Sequence, residues 1–203
     1  MSLPAAIHPL PFTWPYAPVF WLVVYWVFIP EYQLTLRARE GAARTDSPDR
    51  GSLKLILVTN RFAGMAAFAV CWIAATAVPP AWRVPSFWIG IGMLVSGGLL
   101  RRHCFRILGE FFTGDVNARA EQPVIDRGAY RWIRHPSYTA GMLLFTGIGV
   151  ALGNWLSMII MAGTMAIVYT YRVRVEEQTL LKTLGEPYRK FMQTRKRFIP
   201  YLF

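Results

Sequence analysis

The sequence predicts an all-α integral membrane protein with about five transmembrane helices, and three observations predict it. Of its 203 residues, 54% are hydrophobic and only 16% charged, an apolar balance that soluble domains of this length rarely have. Several windows approach the roughly 20 residues a helix needs to cross a hydrocarbon core. The cations, finally, are gathered into alternate connections between those windows, as the positive-inside rule describes.

The first window runs over residues 18 to 36 (PVFWLVVYWVFIPEYQLTL), with Pro30 and Glu31 expected to kink it or mark its end. Residues 38 to 51 (AREGAARTDSPDRG) read as a polar loop. The second window covers residues 62 to 78, stopped by Pro79 and Pro80. The third covers residues 85 to 100, where Gly90, Gly92, Gly97 and Gly98 allow another backbone to approach closely. After a polar stretch come two shorter windows, residues 136 to 152 and 155 to 171. Only Gly153 and Asn154 separate them, which predicts a tight helical hairpin. The chain reads as one unit over 1–203: three amino-terminal helices in 1–100, then linker, hairpin and tail in 101–203. No internal repeat or low-complexity tract interrupts it.

The formal net charge of +11 raises nucleic acid as a partner, but the distribution points to membrane lipids instead. Six of the 22 Lys and Arg lie between the first and second windows, seven between the third and fourth and eight after the fifth, leaving Arg83 for the opposite side. This places the amino terminus outside and the carboxyl terminus in the cytoplasm, as an odd number of crossings requires. Much of the excess charge then serves topology and lipid headgroups. Cys71 and Cys104 are poorly placed to pair. No basic residue precedes the first apolar run and no small-residue cleavage site follows it, so a removed signal peptide is not expected.

His8, His103 and His135 have no second ligand at metal spacing, so no metal site is expected. Phosphate loops, dinucleotide fingerprints and nucleophile elbows are also missing. The chemistry therefore falls to two segments on the same side of the membrane.

The first is "GAYRWIRHPSYTAG", residues 128 to 141. Gly128 suits a turn, and Pro136 suits the first position of a helix, where its missing donor costs nothing. The backbone N–H groups that follow, with side chains of Arg134, His135, Ser137 and Tyr138, offer a docking point for an anionic group. An equally good reading has Arg131 and Arg134 snorkelling to headgroups while Tyr130, Trp132 and Tyr138 form an interfacial aromatic belt.

The second is "YRVRVEEQTLLKTLGEPYRKF", residues 171 to 191. If the fifth helix continues through it, Arg172 and Glu176 share a face, about 6 Å apart along the axis, and Arg174 points elsewhere. Gly185 ends that helix and Pro187 starts the next. By itself the pair is better explained as an i,i+4 ion pair on an amphipathic juxtamembrane helix. The antiparallel hairpin, however, brings it beside the first cluster.

At these residues, over roughly 115 to 200, the chain resembles the carboxyl-terminal half of the isoprenylcysteine carboxyl methyltransferases and their prokaryotic relatives. The resemblance implies S-adenosylmethionine as cofactor in a cytoplasmic pocket closed by linker and tail, with a lipophilic, prenylcysteine-like acceptor entering from the bilayer. Position by position, it implies cofactor contacts at Gln122, Pro123, Val124, Ile125, Tyr130, His135, Pro136, Ser137 and Tyr138. Glu176 matches the carboxylate that binds the cofactor, and Arg172 the arginine assigned to the methyl-accepting carboxylate; these two are the catalytic candidates. Asp115 falls where eukaryotic members place a neutral polar residue. A one-residue slip in register would hand the role of Glu176 to Glu177.

Phospholipid N-methyltransferases and the membrane sterol reductases, which use NADPH, carry related "RHP.Y" blocks. Both stand as alternatives, distinguished by the lipid that gains the methyl group or by nicotinamide binding. A non-enzymatic lipid-binding scaffold, using the basic tail at 194 to 197 (TRKR), is a third.

Overall fold

A computed structural model describes residues 8–42, 51–109 and 123–199. Six helices make up the architecture there: α1 Tyr16–Ala42, α2 Ser52–Val70, α3 Pro80–Leu108, α4 Pro136–Ala151, α5 Trp155–Leu184 and α6 Glu186–Thr194. Among the described residues no strand forms, apart from isolated bridges. By length and composition α3 and α5 can cross a membrane, and α1 has a shorter apolar portion, Tyr16–Pro30.

The boundaries correct several expectations. Helix α1 continues through Pro30 to Ala42, into the segment expected to be a loop; the rest of that segment up to residue 50 lies outside the described residues. Proline removes one backbone donor and leaves the carbonyl four residues earlier without its helical partner. Here Arg102 of α3 fills that gap, donating to the Trp26 carbonyl at 2.5 Å with its guanidinium 3.7 Å above the Trp26 ring.

Helix α2 begins ten residues before its expected start and ends at Val70, eight residues early. The segment after it is held from outside: the Val78 N–H donates to the Gly153 carbonyl at 3.0 Å. Pro79 and Pro80 therefore start α3 rather than stop α2, with Pro80 in the first turn and Pro85 inside the helix.

The hairpin between α4 and α5 forms as expected. Gly153 takes a φ of 65°, and Asn154 caps α5, accepting from the N–H groups of Leu156 and Ser157 at 3.0 and 3.1 Å. The same side chain, fully buried, donates to Thr76 Oγ1 at 2.8 Å. One residue thus ties the hairpin turn to the connection between α2 and α3.

Helix α3 packs most extensively on α4, in antiparallel sense. A Cβ at Gly90 would lie 2.5 Å from the Ala151 nitrogen and 2.6 Å from the Gly147 oxygen, so the two backbones touch there, as small residues permit. The core between α1, α3, α4 and their neighbours is built of Phe20, Phe87, Leu94, Leu144, Leu152 and Met161. A smaller cluster of Ile56, Met165, Val168 and Tyr169 packs against Tyr138 and Met142. It forms the floor of the polar site.

Candidate functional site at the open end of the helical hairpin

The polar site assembles where α4 begins and α5 extends past its apolar stretch, which ends at Tyr171. The fifth helix continues to Leu184 and stops at Gly185, whose φ is 63°. Before α4, residues 128–131 form a short 3-10 turn. A Cβ on Gly128 would meet Ile107 Cδ1 at 2.0 Å and His103 Nε2 at 2.8 Å, so this turn lies directly on the end of α3. It buries Tyr130, with its phenol beside the Cys104 thiol. Burial, then the neighbouring Cys104 and Glu176, push that phenol above its usual range, so it remains protonated.

Tyr138 joins the two catalytic candidates. Its hydroxyl donates to Glu176 Oε2 at 2.6 Å and accepts from Arg172 Nε at 3.2 Å. Arg172 is 3% exposed, whereas Glu176 is half-buried. Among the described residues Glu176 Oε1 accepts no hydrogen bond, which leaves one carboxylate oxygen able to take a cationic or hydroxyl-bearing ligand. On the other side of Tyr138, Arg101 of α3 donates to the Ser137 carbonyl at 2.8 Å and to Ser137 Oγ at 3.2 Å. Tyr130, Ser137, Tyr138, Arg172 and Glu176 are thus brought together.

His135 belongs to a second network. Its Nε2 lies 3.2 Å from Glu177 Oε1, and the same oxygen accepts from Arg134 Nε at 3.0 Å and Nη2 at 2.9 Å. Glu177 Oε2 accepts from Arg197 Nε and Nη2 at 3.1 and 2.8 Å. Burial works against ionisation of Glu177, but hydrogen bonds from His135 and Arg197 and the charges of His135 and Arg134 outweigh it and hold its pKa down to about 2. Adjacent residues on a helix point about 100° apart, so Glu176 and Glu177 face different partners. Glu176 faces Tyr138, and Glu177 is committed to the tail.

Other expected positions divide as follows. Pro136 starts α4 in the expected place and is buried. The N–H groups of Tyr138 and Thr139, expected to be available to a ligand, are closed onto the His135 carbonyl at 3.1 and 3.2 Å. Arg134 is committed to protein partners, with Nη1 donating to the carbonyls of Met192 and Arg195 at 2.6 and 2.7 Å; Arg131 is exposed. Pro123 is exposed and Val124 and Ile125 half-buried, in the segment leading to the Gly128 turn. Gln122 and Asp115 lie outside the described residues.

Sequence reasoning missed Arg101, Arg197, Thr139 and Tyr188. Tyr188, buried on α6, lies beside both Glu176 and Glu177. The one sequence signal for this second network was the glutamate doublet itself, because neighbouring carboxylates on a helix cannot share a partner set.

Residues 85–187, half of the chain, match the family described as phospholipid methyltransferase. The chain belongs to that family. Among relatives, it is 28% identical over 123 residues to protein-S-isoprenylcysteine O-methyltransferase B of Arabidopsis thaliana, covering 60% of this chain and 61% of that one. It is 25% identical over 159 residues to protein-S-isoprenylcysteine O-methyltransferase of Dictyostelium discoideum, covering 75% and 67%. The chain thus spans about three fifths of the length of the Arabidopsis relative. In fold it is similar to the solved eukaryotic intramembrane Ras methyltransferase, an isoprenylcysteine carboxyl methyltransferase, with a TM-score of 0.59 and 21% identity over 73% of this chain and 53% of that one. The family match begins inside α3 and ends inside α6, so it encloses the hairpin and the Arg172–Tyr138–Glu176 chain, while Arg197 of the second network lies beyond it.

Proposed function

We propose that this protein is a membrane methyltransferase that uses S-adenosylmethionine to methylate the carboxylate of a prenylcysteine-like lipophilic acceptor. The observation that carries the reading is the Arg172–Tyr138–Glu176 chain at the open end of the hairpin. The names of the relatives this chain is similar to support it. Five crossings, with the amino terminus outside and the site facing the cytoplasm, complete the proposal.

The donor set fits such a cofactor. Glu176 offers a half-buried carboxylate with one oxygen available to a cation, and Tyr130 and Tyr138 add protonated or hydrogen-bonded phenols beside it. The residues that would hold the cofactor are Glu176, Tyr138, Tyr130 and the segments 122–125 and 135–137. Bound there, it supplies an electrophilic methyl group on a sulfonium.

What the chain contributes is position. An acceptor carboxylate is already a nucleophile at neutral pH, so the reaction needs no strong base; it needs an aligned, near-contact approach and little water. Arg172 holds the carboxylate. Its Nε–H is directed to the Tyr138 hydroxyl, which fixes the plane of the guanidinium. Tyr138 in turn spends its proton on Glu176, so donor and acceptor sites are set in one rigid chain. Methylation neutralises the carboxylate, so the grip of Arg172 weakens on the product and favours release.

The family description itself favours a second reading, transfer to a phospholipid amine. In that case Glu176 would take the proton the amine loses. Purified protein incubated with radiolabelled S-adenosylmethionine and a panel of prenylcysteines, phospholipids and fatty acids separates the two. Label in a base-labile prenylcysteine ester is the expected result, label in a phospholipid headgroup establishes the second reading, and no label on any acceptor overturns both. Arg172→Ala is expected to retain S-adenosylmethionine binding and lose turnover by about a hundredfold or more, the scale of a lost positioning contact. Unchanged turnover refutes the role given to Arg172.

A further inference from the structure

Glu177 is 3% exposed, and its two oxygens receive five contacts from Arg134, His135 and Arg197. Two carboxylate oxygens offer about four lone-pair sites. The group is therefore saturated by protein and has nothing left for a ligand. Its partners come from two distant parts of the chain, the start of α4 and the tail.

The same seam continues on either side. The Arg134 N–H donates to the Lys196 carbonyl at 2.8 Å, and the His135 N–H to the Arg197 carbonyl at 3.0 Å. Thr139 Oγ1 donates to the Phe198 carbonyl at 2.9 Å, and Phe198 is itself buried. Arg195 reaches the other way, to Asp126 at 3.4 Å, directly after the segment 123–125. The tail therefore fastens together the linker, the first turn of α4 and the end of α5, the three segments assigned to the cofactor.

We propose that Glu177 is a positioning residue that sets affinity for the methyl donor by clamping residues 195–198 across the start of α4. It touches neither reactant. It acts through His135 and Arg134, which carry the first turn of α4 and hence Tyr138 toward Glu176. The two neighbouring glutamates thus divide the work: Glu176 faces the ligands, and Glu177 holds the wall that Glu176 faces. This inference rests on the reading of the site as a donor pocket.

The test compares the full-length protein with E177Q, E177D and R197Q in detergent, using radiolabelled S-adenosylmethionine binding, acceptor KM, and tryptic cleavage at residues 195–197. E177Q is expected to bind the donor on the order of tenfold more weakly, within the usual range of coupling between sites. Acceptor KM should stay within about twofold. E177D should recover part of the affinity. By reciprocity, saturating S-adenosylmethionine should slow tail cleavage in the wild type by the factor that tail release costs in affinity. A merely structural role would lower the active fraction but leave donor affinity and this protection unchanged, and that result overturns the proposal. If E177Q does not fold, R197Q decides, since it leaves Arg134 and His135 on the carboxylate. Wild-type affinity in R197Q overturns the clamp, and weakened affinity sustains it. Failure of the wild type to bind S-adenosylmethionine at all refutes the methyltransferase reading instead, before any variant is compared.

Discussion

Tyr138 illustrates how much one hydroxyl can organise. It donates a hydrogen bond to Glu176 and accepts one from Arg172, so a single atom of α4 links a cation and an anion that stand one turn apart on α5. Tyr138→Phe keeps the ring and its packing but removes both hydrogen bonds. Each involves a charged partner, worth about 1.5–3 kcal/mol, so turnover is expected to fall by about tenfold to a hundredfold, measured with saturating donor and acceptor. Turnover equal to wild type would show that Arg172 and Glu176 are aligned without the bridge. Glu177 adds a pH dependence of known sign. Its pKa is depressed from 4.5 to about 2, so its stabilising contribution is complete above the unfolded value and is lost as pH falls through the folded one. Peptic cleavage of the tail should therefore stay slow at pH near 4 and accelerate toward pH 2. In E177Q the tail should be open across that whole window, and equal rates in the two proteins would deny Glu177 this role. The sequence made Arg172 and Glu176 visible because four residues is one helical turn. It could not show where Glu177 points, because its partner Arg197 is twenty residues away on a segment with no periodicity of its own.

At the scale of elements, the hairpin was legible because Gly153 and Asn154 interrupt an otherwise continuous apolar run, and Pro136, Gly185 and Pro187 mark helix ends with backbone chemistry of their own. The limits of α2 were not legible. Hydropathy continues past Val70 to residue 78, but the helix stops where a hydrogen bond donated to the Gly153 carbonyl and one accepted from Asn154 capture the chain. Tertiary contacts of that kind leave no local trace. The glycines of α3 make the same point in a testable way. Gly90 and Gly92 look alike in sequence, yet a Cβ at Gly90 would strike the backbone of α4, while one at Gly92 would meet nothing within 4 Å. Gly90→Leu is expected to destabilise the protein by about 1–3 kcal/mol or more, the cost of overpacking a closed interface. Gly92→Leu should leave stability nearly unchanged. Thermal unfolding in detergent measures both, and equal shifts would contradict the close approach of α3 and α4.

At the scale of the whole molecule, the two ends of the bundle differ in chemistry. One end gathers the connection before α3, the hairpin turn and Arg83, which donates to the His8 carbonyl. The other gathers Arg101, Arg134, Arg172, Arg197 and the carboxylates of Glu176 and Glu177. Hydropathy and charge alone suggested this polarity, because both act along the chain and need no knowledge of which helix touches which. The proposed orientation rests on this asymmetry through the positive-inside rule, in which Lys and Arg near the ends of crossings are retained in the cytoplasm. In the orientation proposed above, the tail at 189–197, rich in Lys and Arg, is cytoplasmic and Arg83 lies outside. Trypsin added to inverted membrane vesicles should cut the tail, while sealed right-side-out vesicles should protect it until they are permeabilised. Cleavage with the opposite sidedness would place the donor site outside the cell, away from the cytoplasmic supply of S-adenosylmethionine, and would undo the functional proposal together with the topology. Cleavage from the inverted side alone sustains both, since a lipophilic acceptor in the inner leaflet and a soluble donor in the cytoplasm can meet only at that end of the bundle.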